Sequence, residues 1–111
     1  MSTDNANAYF LAAQAFQTAN MDVYSYANIN TATTTVVKAS PGTIKAVLIN
    51  IKGTVASVVT VYDSLTASGP KIATLDSLNT SGVFTYGAKF NTGLTIVTTG
   101  TVAPDITVIY K

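Results

Sequence analysis

From residue 33 onward, short runs of β-forming residues alternate with clusters of turn formers. Alternation with a period of two is the signature of strands, and Gly, Pro, Asn and Ser mark where they stop. The pattern predicts seven strands, over 33–39, 43–51, 55–62, 71–75, 83–86 continuing past Gly87 through 90, 94–98 and 105–110. Between them lie the turns "SPG", "KGT", "DSLTASGP", "DSLNTSG", "NTG" and "TGTVAP". Short strands spaced about ten residues apart indicate an all-β antiparallel sandwich, of jelly-roll or Ig-like topology, rather than βαβ units. The expected inward set is Ile44, Leu48, Val59, Val61, Ile72, Phe84, Ile96, Ile106 and Val108.

The first thirty residues read differently. "TDNANAYFLAAQAFQTAN" is rich in alanine, with Tyr9, Ala12, Ala13 and Phe16 spaced to share a helical face. Ser2, Thr3 or Asp4 can cap such a helix. Asn and Thr interrupt the segment, and "MDVYSYANIN" continues with strand-like alternation. We therefore expect an N-terminal arm over 1–28 with room for a short helix, ahead of a sandwich domain over 29–111. Tyr9, Phe10, Leu11, Phe16, Tyr24 and Tyr26 give the arm a dense apolar set suited to an interface.

Two of the middle runs are apolar on both faces. In 43–51, Ile44, Ala46 and Leu48 alternate with Lys45, Val47, Ile49 and Ile51, and 55–62 is similarly mixed. A two-layer sandwich buries only one face of each sheet, so the second must be covered by the arm or by a neighbouring subunit.

Composition sharpens that expectation. The 111 residues are 48% hydrophobic and 10% charged, against about 25% charged in ordinary soluble domains. There are 19 Thr and 12 Val, the β-branched bias of pleated sheets, and no Glu, Arg, His, Cys or Trp. The net charge of +1 gives no electrostatic reason to seek nucleic acid or a charged membrane. The longest apolar runs, "YFLAA" and "AVLI", fall far short of the roughly 20 residues of a membrane span. "MSTDNANAYF" is polar and acidic rather than basic then apolar, which predicts a chain kept in the cytoplasm or assembled there into something larger.

Catalysis lacks its usual groups. Asp63 and Asp76 bracket the stretch "VYDSLTASGPKIATLD", each directly after a strand and before a serine. Aspartate in that position bonds its own backbone and starts a turn, and this outweighs an acid–base pair. Calcium needs six to eight oxygens, and five scattered Asp do not supply them, so no metal or other cofactor is expected. A dyad of Ser40 with Lys38 or Lys45 is outweighed by lysines that keep strand edges soluble. "NTS" at Asn79 reads as a loop. Tyr24, Tyr26, Tyr62, Tyr86 and Tyr110 fall in strand or arm positions, where aromatics pack cores and interfaces. A chain that is not an enzyme is the result.

The succession "TTTVVKASPGTIKAVLIN", "TVASVVTVYD", "SGPKIATLD" and "GLTIVTTGTVAPDITVIYK" resembles small virion proteins of tailed bacteriophages over residues 33–111. That resemblance implies a β-sandwich structural component, such as a head-decoration (cement), neck or fibre-associated protein. It would be assembled in the host cytoplasm as a trimer or other symmetric oligomer, with other virion proteins such as the major capsid protein as partners. The motifs are structural, so no functional residues follow from it. The alternative from a different class is a carbohydrate-binding module that recognises host glycans through loops 63–70 and 76–82.

Overall fold

The structure, a computed structural model, describes residues 23–111. Among them it is all-β, with eight strands and no helix. They are β1 (Ser25–Ile29), β2 (Thr33–Lys38), β3 (Gly42–Ile51), β4 (Val59–Asp63), β5 (Lys71–Leu75), β6 (Gly82–Phe90), β7 (Leu94–Thr98) and β8 (Asp105–Tyr110). The helix expected in the arm, and Tyr9, Phe10, Leu11 and Phe16, lie outside the described residues.

The strands form two antiparallel sheets of four. Sheet A has the order β1-β8-β3-β6 and sheet B the order β2-β7-β4-β5. All six pairings are antiparallel. Only β4 and β5 are both consecutive and paired; every other connection passes from one sheet to the other. The two inner faces share one core. Ile44, Val47, Ile49, Phe90, Ile106 and Val108 come from sheet A, and Val59, Val61, Leu75, Leu94 and Ile96 from sheet B. Burying β-branched side chains from both layers in one cluster is the main source of stability in such an arrangement.

The sheet begins at Ser25, four residues before the boundary expected at 29. "SYANI" does what its alternation suggested, pairing with β8 from Ser25↔Tyr110 to Ile29↔Ile106. The run at 55–62 is shortened instead, because only Val59–Asp63 is strand. Ala56 sits at φ 63°, a left-handed conformation that no strand accommodates. Residues 53–58 are thereby freed to lace onto the loop after β7: Thr54 N–H donates to Val102 O at 2.9 Å, and Thr101 N–H to Val55 O at 3.0 Å. Gly53 is required there. A Cβ would run into Ser57 Oγ and lie 2.6 Å from the Val102 carbonyl oxygen.

The expected inward set holds at Ile44, Val59, Val61, Ile96, Ile106 and Val108, all fully buried, while Ile72 and Phe84 pack against the core from partly buried positions. Leu48 is the exception. Between Ile44 and Ala46, β3 advances two residues while β8 advances only from Tyr110 to Ile109. This bulge at Lys45 reverses the alternation, so Val47 and Ile49 turn inward, Leu48 faces out half-buried, and Ala46 takes the outer side in register although it is buried.

Candidate functional site

The outer face of sheet A is the surface that the fold leaves in need of an explanation. Its rows follow from the register. Tyr26 pairs with Ile109, Ile109 with Ala46, and Ala46 with Thr85. In the next row stand Asn28, Thr107, Leu48 and Val83. The bulge at Lys45 places Ala46 and Leu48 in the middle of this face. Tyr26 at the β1 edge is 74% exposed and Val83 at the β6 edge 64% exposed, with Leu48 and Ile109 half-buried between them. A narrow apolar band of Tyr26, Ile109, Leu48 and Val83 therefore crosses the four strands, with the buried Ala46 within it and Asn28, Thr107 and Thr85 beside it.

The two ends of the band differ in chemistry. At one end the Tyr24 ring lies beneath two cations, with Lys45 Nζ 4.8 Å and Lys111 Nζ 5.4 Å from its centroid. Such contacts are favourable because the ammonium meets the negative face of the ring. Lys89, paired with Thr43, stands exposed at the same end. At the other end Asn28 and Asn50 converge on Asp105. Their Nδ2 groups donate to Asp105 Oδ1 at 2.8 and 3.1 Å, and Asn50 Nδ2 also donates to Thr107 Oγ1 at 3.0 Å. Those donors, Asn28 first, hold the Asp105 carboxyl below its ordinary value of 3.8 by favouring the charged form.

Asp63 and Asp76 sit at opposite ends of the β4–β5 hairpin, since Val59 pairs with Leu75 while Asp63 closes β4. They cannot form a carboxylate pair. Both act on backbone, but only Asp76 does so as expected. Its Oδ1 accepts from Leu78 N–H and Asn79 N–H, each at 3.1 Å, and its Oδ2 from Asn79 Nδ2 at 3.0 Å. Asp63 instead reaches across to the turn between β6 and β7. Its Oδ2 accepts from Asn91 N–H at 2.9 Å and its Oδ1 from Thr92 N–H at 2.8 Å. Sequence spacing could not reveal a partner 28 residues away. The pKa of each lies below 3.8, chiefly through Asn91 N–H for Asp63 and the Asn79 side chain for Asp76.

Two of the remaining polar candidates are also occupied. Lys45 lies over Tyr24, and the Asn79 amide is bonded to Asp76. Tyr86 and Tyr110 pack against the core, and Tyr62 is half-buried. Loops 63–70 and 76–82 contain no aromatic residue. The buried hydroxyls all find partners among the described residues: Ser57 Oγ and Ser77 Oγ lie 2.7 Å apart, and Thr95 Oγ1 donates to Ser64 O at 2.7 Å. Of the six arm residues picked out as an interface, Tyr24 and Tyr26 belong to this face.

No protein-family model matches the chain, and neither a curated protein nor a solved structure matches it.

Proposed function

We propose that the chain is a non-enzymatic structural component of a bacteriophage virion, a capsid-decoration (cement) or neck-associated protein that acts through protein–protein contacts. The apolar outer face of sheet A carries this reading. Soluble monomers rarely leave a contiguous apolar band open, and such bands mark interaction surfaces. The strand orders β1-β8-β3-β6 and β2-β7-β4-β5 are those of a jelly roll, an architecture used by viral capsid and lectin domains. The resemblance of residues 33–111 to small phage virion proteins points the same way. So do the scarcity of charge and the lack of His, Cys, Glu and Arg for catalysis.

A virion component of this kind is assembled in the host cytoplasm as a trimer or other symmetric oligomer, and it docks on partners such as the major capsid protein. Symmetry multiplies one modest contact into firm attachment through avidity. The glycan-binding alternative has less support, because loops 63–70 and 76–82 offer no aromatic shelf and Asp63, Asp76 and Asn79 are engaged in turns.

Immunoblotting of purified particles of the virus that encodes the chain tests this reading, followed by electron cryo-microscopy of those particles. The expected result is a symmetric set of β-sandwiches with the outer face of sheet A turned into a protein contact. Particles that lack the chain overturn the proposal.

A further inference from the structure

We infer that residues 1–22 of one copy seat on the outer face of sheet A of a neighbouring copy, so that the oligomer is held by exchanged N-terminal segments. This rests on the oligomeric reading above and names its contact. Three observations select that occupant.

The first is direction. β1 is the edge strand of sheet A, and its first residue, Ser25, pairs with Tyr110 at the end of β8. Tyr24 is tied to that corner by Lys45 and Lys111, and Val23 is 70% exposed. The described chain thus enters sheet A at the Lys111 end of β1, on the edge of the face rather than over it. A neighbouring face then lies within reach, because 22 residues can span up to roughly 70 Å.

The second is area. Four strands about 4.8 Å apart, with about six residues at about 3.3 Å each, present a face of about 400 Å². A stable interface buries about 800 Å² per partner. Two such faces pressed together fall short, whereas each copy that gives a segment and receives one gains both contacts.

The third is chemistry. Residues 1–22 contain Tyr9, Phe10, Leu11 and Phe16 to meet Tyr26, Leu48, Val83 and Ile109. Their only charged side chains are Asp4 and Asp22, while Lys89 stands exposed at one end of the face. The complement is both apolar and electrostatic.

The chain has no cysteine, so introduced thiols report contacts cleanly. Full-length proteins bearing Tyr9→Cys, Phe10→Cys or Phe16→Cys are each mixed with Val83→Cys protein and oxidised, with Thr74→Cys, on sheet B, as the control target. Interchain disulfides to residue 83 but not to residue 74 are expected, from a full-length protein that sediments as an oligomer. A chain lacking residues 1–22 is expected to sediment as a monomer. Should that chain not fold, the disulfide pattern of the full chain decides alone. An oligomer with no preference for residue 83 overturns segment exchange and leaves the virion reading standing. A double variant, Phe10→Cys with Val83→Cys, that forms its disulfide only within one chain, or a full-length monomer, also overturns the exchange. Absence from purified particles bears on the virion reading instead.

Discussion

One row of the outer face of sheet B is mostly threonine, while the outer face of sheet A carries a band of apolar groups. On sheet B, Thr34, Val97, Thr60 and Thr74 form one cross-strand row, and Val36, Thr95 and Tyr62 the next, where Val36 is exposed and the buried Thr95 hydroxyl donates to Ser64 O. Threonine serves such a surface well: its branched Cβ suits a pleated strand, and its hydroxyl meets water without bringing charge. On sheet A the corresponding rows hold Tyr26, Ile109, Ala46 and Thr85, then Asn28, Thr107, Leu48 and Val83. The inner faces are alike and feed one core. The difference between the sheets therefore lies in their outer faces, and the proposed partner contact would use that of sheet A.

Adjacent residues of β3 provide the strongest test of that contrast. Ile49→Ala removes a core side chain from the shared cluster and should cost about 2–5 kcal/mol. Leu48→Ala, one residue earlier but on the outer face, should cost about 1 kcal/mol in isolated residues 23–111, as partly exposed positions do. Urea unfolding of both variants measures the gap, and equal losses would place Leu48 in the core after all. Next in size is Gly53→Ala, in the connection that carries the chain from sheet A to sheet B. The new methyl meets the Val102 carbonyl, which is backbone and cannot swing aside, so a loss of about 1–3 kcal/mol is expected in the same assay.

The outer faces themselves are compared by adding one charge to each. Val83→Lys should weaken self-association of the full-length chain by about tenfold or more, a change of about 1.4 kcal/mol. Thr74→Lys, in the threonine row of sheet B, should leave it unchanged. Sedimentation over a concentration series reads both, and the contrast is broken if the two variants behave alike.

Much of this architecture was legible in the sequence, for reasons that also explain what was not. Lys71–Leu75, Leu94–Thr98 and Asp105–Tyr110 begin and end where their flanking turn residues say they should. Local signals sufficed because each strand boundary is a local event. The outward turn of Leu48 was hidden because a bulge is set by the registers of β8 and β6 with β3, and a one-residue shift exchanges the two faces. The run at 55–58 has a Val at each end, yet Ala56 is held left-handed by a loop zipped to residues 99–102, a contact more than forty residues away. The candidate site was half legible. That β3 is apolar on both faces could be seen from alternation alone, but that Tyr26, Ile109, Leu48 and Val83 form one band depends on the strand order of sheet A.

The smallest expected effect concerns the carboxylates that finish each sheet, Asp105 on the outer face of A and Asp63 at the end of B. Both have pKa values below 3.8 in the folded chain, Asp105 through Asn28 and Asn50, Asp63 through the N–H groups of Asn91 and Thr92. A depressed folded pKa means that the native state prefers the ionised form more than the unfolded chain does. The resulting stabilisation is fully present above the unfolded pKa and is lost as pH falls through the folded one. Thermal unfolding should therefore be flat near neutrality and drop below about pH 4, where unfolded carboxylates begin to take up protons. The two sites differ in what an amide can replace. Asp105 uses one oxygen, Oδ1, to accept from both Asn28 and Asn50, and the Oδ1 of an asparagine can do the same. Asp63 uses both oxygens, so in Asp63→Asn an NH₂ must confront the N–H of either Asn91 or Thr92. At pH 7, Asp63→Asn should therefore lower the melting temperature more than Asp105→Asn, while each variant shows a shallower acid loss than the parent. Equal melting temperatures at pH 7 would mean that the turn between β6 and β7 does not need both carboxylate oxygens.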